Sequence, residues 1–217
     1  MITSFIFALA LSVQDAPSAA DTASEPEVVA ESADSFDTDM ALARVNEALN
    51  GLGTLQARFT QIAPDGTASE GTLSLRRPGR LRFEYAAPSP LLIVADGTTV
   101  AIHDTALETT DRAPIRATPL WWILKDEINL AEDARVLDVW TEHGFVYVSL
   151  TDSDDEMEGE AVFLFDAETY ALNQWFVVDA LGQTTRILLD SVETDITLNA
   201  RLFVLDDAED ERRNRRR

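Results

Sequence analysis

Gly71-Thr-Leu-Ser-Leu-Arg-Arg-Pro-Gly-Arg-Leu-Arg-Phe-Glu-Tyr85 decides the fold. Leu73 and Leu75 alternate with Thr72, Ser74 and Arg76, and Leu81, Phe83 and Tyr85 alternate with Arg80, Arg82 and Glu84. Period two marks two half-buried antiparallel strands, each with one apolar face. Between them lies Arg77-Pro78-Gly79. Proline fixes one backbone angle and donates nothing to a ladder, so it belongs at a strand edge or turn, and Gly79 completes the corner. The residue before proline is pushed toward extended geometry. Two readings of Arg77 stand: a solvated arginine on a hairpin corner, or an arginine held at a rigid corner beside an apolar sheet, acting as a latch rather than a catalyst.

Working outward, the same alternation recurs in Leu55, Ala57 and Phe59. Asp65-Gly66 and Asp96-Gly97 are hairpin signals, the second joining Leu91–Ala95 to Thr99–His103, so the first five strands form a meander. Before them Leu42, Val45, Leu49 and Leu52 fall on one face of an amphipathic helix. From Thr105 to Asp133 the alternation stops. There Pro119 opens a short apolar helix, Leu120-Trp-Trp-Ile-Leu124, with a second helical piece before Asp133. Such large side chains in so short a helix need an apolar surface to lie on. Strands resume at Val136–Trp140, Phe145–Leu150, Ala161–Phe165, Tyr170–Val178, Thr184–Val192 and Ala200–Leu205. The expectation is a mainly β (α+β) chain, one curved antiparallel sheet of about eleven strands with helical insertions.

The 217 residues suit one domain with a leader and a tail. Residues 1–20 read as a signal peptide with an apolar h-region but no basic n-region, and residues 21–35 as a flexible acidic linker. The folded domain is expected over 36–205, and 206–217 as a disordered tail of acidic then arginine-rich residues. A net charge of −22 argues against nucleic acid as a partner. With no cysteine there is no disulfide, thiolate metal site, cysteine nucleophile or acylated N-terminal cysteine.

Catalytic constellations are missing from the sequence. Only His103 and His143 could act as imidazole bases, and no nucleophile elbow, zinc-binding His pair or phosphate loop is present. His103-Asp104 reads as a turn pair, and the acidic stretch Asp152–Glu160 lacks the ligand spacing and central glycine of a calcium loop. No cofactor or metal is expected. What remains is an aromatic sheet face, an amphipathic helix and a tryptophan-rich insertion; periodicity leaves open whether they make a filled core or line a cavity.

Leu55-Gln-Ala-Arg-Phe-Thr-Gln61, the Gly71–Tyr85 stretch, Leu92-Ile-Val-Ala-Asp-Gly97 and Thr118-Pro-Leu-Trp-Trp-Ile-Leu124 resemble, in order, the successive motifs of the LolA family of periplasmic lipoprotein carriers. The likeness runs from about Leu42 to Phe203. It implies an unclosed β-barrel under a helical lid, enclosing an apolar cavity for lipoprotein acyl chains. It also implies cargo taken from an inner-membrane ABC transporter of the LolCDE type and passed to an outer-membrane receptor of the LolB type. The absent cysteine disfavours the lipidated receptor itself. Arg77 matches the family arginine that hydrogen-bonds lid carbonyls. Phe59, Leu73, Leu75, Leu81, Phe83 and Tyr85 match the inward-facing wall, and Leu49, Leu52, Leu120, Trp121, Trp122 and Ile123 the lid. The C-terminal stretch is reduced to Arg201-Leu-Phe-Val-Leu205 and the charged tail, a departure from the family pattern. A monomeric, non-enzymatic carrier is expected. Its rivals are a binding or sensor module of the same fold for another amphiphile, a lipid-modifying enzyme using His103 or His143, and a filled structural β-domain.

Overall fold

The computed structural model of the chain describes residues 36–153 and 159–205. The expected signal peptide, linker and tail, and the centre of the Asp152–Glu160 loop, lie outside the described residues.

Helix α1 spans Thr38–Gly51. Asp37 begins it by accepting a 2.9 Å hydrogen bond from the Met40 N–H, which satisfies a donor that the helix start would orphan. It ends where Leu52 turns extended and its N–H returns to the Leu49 carbonyl at 3.2 Å. Ala41, Val45 and Leu49, four apart, form the buried stripe, with Leu42 and Leu52 on its margin.

Eleven strands follow: β1 (Thr54–Ile62), β2 (Ala68–Arg76), β3 (Arg80–Tyr85), β4 (Leu91–Asp96), β5 (Thr99–Asp104), β6 (Thr109–Pro114), β7 (Arg135–Glu142), β8 (Phe145–Thr151), β9 (Glu160–Asp166), β10 (Leu172–Val178) and β11 (Thr184–Thr194). They make one antiparallel sheet in the order β6-β5-β4-β3-β2-β1-β11-β10-β9-β8-β7. Two meanders therefore meet at the β1–β11 pair, and the sheet stays open between β6 and β7. Those two edges are consecutive in the chain. The segment joining them carries a 3₁₀ turn (Ile115–Ala117) and short helices α2 (Trp121–Leu124) and α3 (Leu130–Asp133). The topology thus places the helical insertion between the sheet's two free ends.

Register puts the apolar positions in rows on one face: Leu55 opposite Leu75 opposite Leu81, and Ala57 opposite Leu73 opposite Phe83. The row at Phe59 and Tyr85 has Gly71 between them, and a Cβ there would lie 2.7 Å from the Phe59 ring. Glycine is needed so that the ring can lie across the strand.

The expected single sheet of eleven strands is the architecture observed, although two of its strands are reassigned. β6 occupies the stretch where alternation had stopped. Thr-Thr-Asp-Arg-Ala-Pro lacks an apolar face because an edge strand with little burial on either side demands none. Conversely, Ala200–Leu205 is no strand. Residues Ala200–Phe203 form a 3₁₀ turn that Asn199 caps, its Oδ1 accepting from the Arg201 N–H at 3.0 Å. Both edges of β11 are already taken by β1 and β10, so Phe203 buries, with Leu202 half-buried beside it, against the outer face of β3 and β4 instead. Arg82 reaches the Leu202 carbonyl at 3.3 Å from that face. Tyr170, expected within a strand, sits in the turn before β10 with a φ of 56°.

Candidate functional site

The concave face carries an aromatic group. Phe59 meets Phe83 and Tyr85 edge-to-face at 4.9 and 5.0 Å, and Phe83 meets Trp175 at 6.2 Å. The Tyr85 hydroxyl donates to Gln61 at 2.7 Å, and burial pushes its pKa up to about 12. Over this face lie α1 and the insertion.

Pro119 begins the turn that leads into α2, Trp122 donating back to its carbonyl at 3.3 Å. Four residues cannot hold a helix in water alone, so packing must hold this one. Trp122, Ile123 and Leu124 are buried, as are Ile128 and Leu130, while Leu120 and Trp121 sit half-buried at the margin. The Arg116 guanidinium lies 5.1 Å over the Trp121 ring.

The structure gathers the expected site residues. Phe59, Leu73, Leu75, Leu81, Phe83, Leu49, Trp122 and Ile123 are buried in one apolar cluster, with Tyr85, Leu52, Leu120 and Trp121 packed on its border. In this arrangement lid side chains press directly on the sheet. An apolar guest on that face would have to displace them.

The corner between β2 and β3 grips both lid pieces at once. Arg77 donates through Nε and Nη2 to the Lys125 carbonyl at 3.1 and 2.8 Å, and through Nη2 to the Asp126 carbonyl at 2.8 Å. Its Nη1 donates to the Leu49 carbonyl at the end of α1, and Nη2 lies 3.2 Å from Asn50 Oδ1. A planar guanidinium with five fixed donors suits several carbonyls arranged around it, which an ammonium could not match. Burial lowers the Arg77 pKa below the usual arginine value, partly opposed by Asp126. The backbone joins in: Arg77 N–H donates to Gly53 O at 2.9 Å, and Gly79 N–H to Leu124 O at 2.7 Å. Gly79 has a φ of 72° and its missing Cβ would fall 2.7 Å from the Gly97 Cα, so only glycine fits. The Arg77–Pro78 peptide is cis.

Sequence reasoning missed the second clasp. Asn50 of α1 donates through Nδ2 to Ile128 O at 2.8 Å and accepts at Oδ1 from Ile128 N–H at 2.9 Å, while Asn46 accepts from Leu130 N–H at 3.1 Å. These amides stand in for a strand partner, satisfying buried backbone groups in an irregular segment. Lys125 pairs with Asp133 within the insertion. Trp175 was also missed, because the register shift between Leu172 and Gln174 breaks the alternation that would have exposed its face.

The two histidines lie elsewhere. His103 Nδ1 sits 2.9 Å from Thr110 Oγ1 on the β5–β6 ladder, and the Asp104 carboxylate accepts from the Ala106 and Leu107 N–H groups. His143 is exposed in the β7–β8 turn, its Nδ1 3.5 Å from the Glu142 carboxylate. Neither belongs to the apolar cluster.

The profile of the family described as outer membrane lipoprotein carrier protein LolA matches residues 50–206. The outer-membrane lipoprotein carrier protein of Methylococcus capsulatus is 32% identical over 169 residues, covering 74% of this chain and 80% of that one. Its counterpart in Dechloromonas aromatica is 31% identical over 173 residues, covering 75% and 82%. A solved LolA-superfamily protein from Nitrosomonas europaea is similar over 79% of this chain and 99% of that one, at 10% identity and a TM-score of 0.46.

Proposed function

The chain belongs to the LolA family of outer-membrane lipoprotein carrier proteins, and from that premise we propose how it carries its cargo. The acyl chains lie against the aromatic concave face, and α1 with the insertion is the lid that shields them. Each exposed CH₂ costs roughly 0.8 kcal/mol, so one long acyl chain left in water costs on the order of 10 kcal/mol. Shielding that cost requires only an apolar surface and a cover that moves. Binding and release suffice, and no bond of the cargo is broken.

The observation that carries this reading is the reach of Arg77. Its donors span the end of α1 and the carbonyls after α2, two pieces of chain that are otherwise far apart in sequence. We assign it the role of a latch: its hydrogen bonds hold the lid shut, and their exchange for water lets the lid rise. The wall is Phe59, Leu73, Leu75, Leu81, Phe83 and Tyr85, with Trp175 added. The lid's underside is Leu49, Leu52, Leu120, Trp121, Trp122 and Ile123.

The chain works in the periplasm after residues 1–20 direct its export, with 21–35 as spacer to the carrier domain and 206–217 as a charged tail. It takes lipoproteins from an inner-membrane transporter of the LolCDE type and yields them to a LolB-type receptor. The test is native mass spectrometry of protein isolated from its host. Acylated protein bound to the chain supports the carrier; a free lipid bound instead would transfer the role to another amphiphile.

A further inference from the structure

Helix α1 is held unequally along its two sides. On one side Arg77, Asn50 and Asn46 tie it by hydrogen bonds to the β2–β3 corner and the insertion. On the other it faces the Thr169–Leu172 turn and the end of β11, and among the described residues no hydrogen bond joins it to either. A cleft of about 250 Å³ lies there. Leu49, Leu55 and Leu172 line it and also belong to the apolar cluster beneath the lid, so the cleft borders the core. Thr169, Thr194 and Asp195 give it a polar rim. Gly51, the last residue of α1, also lines the cleft, and a Cβ there would meet nothing within 4 Å.

Taking the chain as a carrier of acylated cargo, we propose that the first acyl chain enters through this cleft while Arg77 is still engaged. An acyl chain has no hydrogen-bonding group with which to replace the bonds it would break. On the corner side it would have to displace charge-assisted hydrogen bonds, whereas at the cleft it displaces only apolar contacts and a little water. Leucine side chains from both walls give the tail an apolar surface against which to displace the packed lid. The polar rim keeps the cargo's peptide end in water. Entry therefore precedes unlatching, and the arriving chain, by crowding the lid's underside, brings about the unlatching.

The test fills the cleft at two points. Ala48, one turn earlier on α1, lines the cleft as well, and stopped-flow uptake of a fluorescently labelled, synthetic triacylated lipopeptide would be followed in the parent, in Gly51→Phe and in Ala48→Phe. Each phenylalanine variant slows uptake at least tenfold, with hydrogen-exchange protection at the Arg77 corner unchanged. Parental uptake by both phenylalanine variants overturns the entry route and leaves the carrier standing. Failure of the parent itself to take up the lipopeptide overturns the carrier reading, and the route with it.

Discussion

Replacing Arg77 by leucine should open the lid without unfolding the sheet. The guanidinium contacts four oxygens within 3.2 Å, those of Leu49, Asn50, Lys125 and Asp126, with the Leu52 carbonyl farther off at 3.5 Å. Hydrogen bonds to a charged group contribute about 1.5 to 3 kcal/mol each, so a naive sum lies near 6 to 12 kcal/mol. That sum overstates the effect. Arg77 is only half-buried, water replaces it at the freed carbonyls, and bonds sharing one donor group do not add. About 3 kcal/mol is a realistic loss, and at 1.4 kcal/mol per decade it multiplies the open fraction on the order of 100-fold. Amide hydrogen exchange reads this directly, because it reports local opening residue by residue. The N–H groups of Gly79, Ile128 and Leu130, all bonded across the lid, should exchange roughly 100-fold faster, while the β8–β9 ladder keeps its protection. Arg77→Lys, a point charge that cannot span the same carbonyls, should fall between the two. Unchanged protection at those three amides would refute the latch, and equal acceleration across the whole sheet would show a loss of global stability instead.

Asn50→Ala removes the paired amide contacts with Ile128 and should speed exchange at the Ile128 N–H about tenfold, for a cost of about 1 to 2 kcal/mol, with Arg77 still holding the lid. Tyr85 ties stability to alkaline pH. Its raised pKa means that the unfolded chain ionises first, so its contribution is whole below pH 10 and is lost as pH rises toward about 12. At pH 11 the parent should have lost roughly 1 kcal/mol from this group relative to Tyr85→Phe, read as a difference in urea midpoints between pH 8 and pH 11. Phe203→Ala empties the site on the outer face of β3 and β4 and should lower unfolding stability by about 3 to 5 kcal/mol in chemical denaturation. A loss under 1 kcal/mol there would mean that the C-terminal turn only rests on the sheet.

Most strands could be read from the sequence because each has one dry face and one wet one, which writes period two into the residues. β6 could not, since a strand with both faces largely exposed leaves no such trace. Arg201-Leu-Phe-Val-Leu205 misled for the opposite reason. Its apolar run is real and its Phe203 is buried, but β11, the strand it follows, already has both edges taken by β1 and β10, and pairing is a property of the whole topology. Proline and glycine marked the Arg77 corner, whereas the arginine's role came from the family resemblance rather than from spacing. Asn50 and Asn46 were illegible. An asparagine on a helix reads as ordinary solvated surface until a distant loop, 78 residues on, turns out to lack a backbone partner.

A sheet left open at both ends must keep other chains from closing it. The main-chain donors and acceptors along β6 and β7 are a template for any passing strand, a hazard that grows for a protein whose work is to meet other proteins. β6 answers with Asp111 and Arg112 in its middle and Pro114 at its end, which repel or interrupt an added ladder. β7 answers with the irregularity between Val136 and Asp138, which leaves Leu137 turned out and half exposed and breaks the even spacing that an incoming strand would need. Two short stretches at the sheet's free ends thus make each edge a poor template for an added strand. Making β6 uniformly apolar would remove that protection and favour edge-to-edge association, which size-exclusion chromatography would read as larger species.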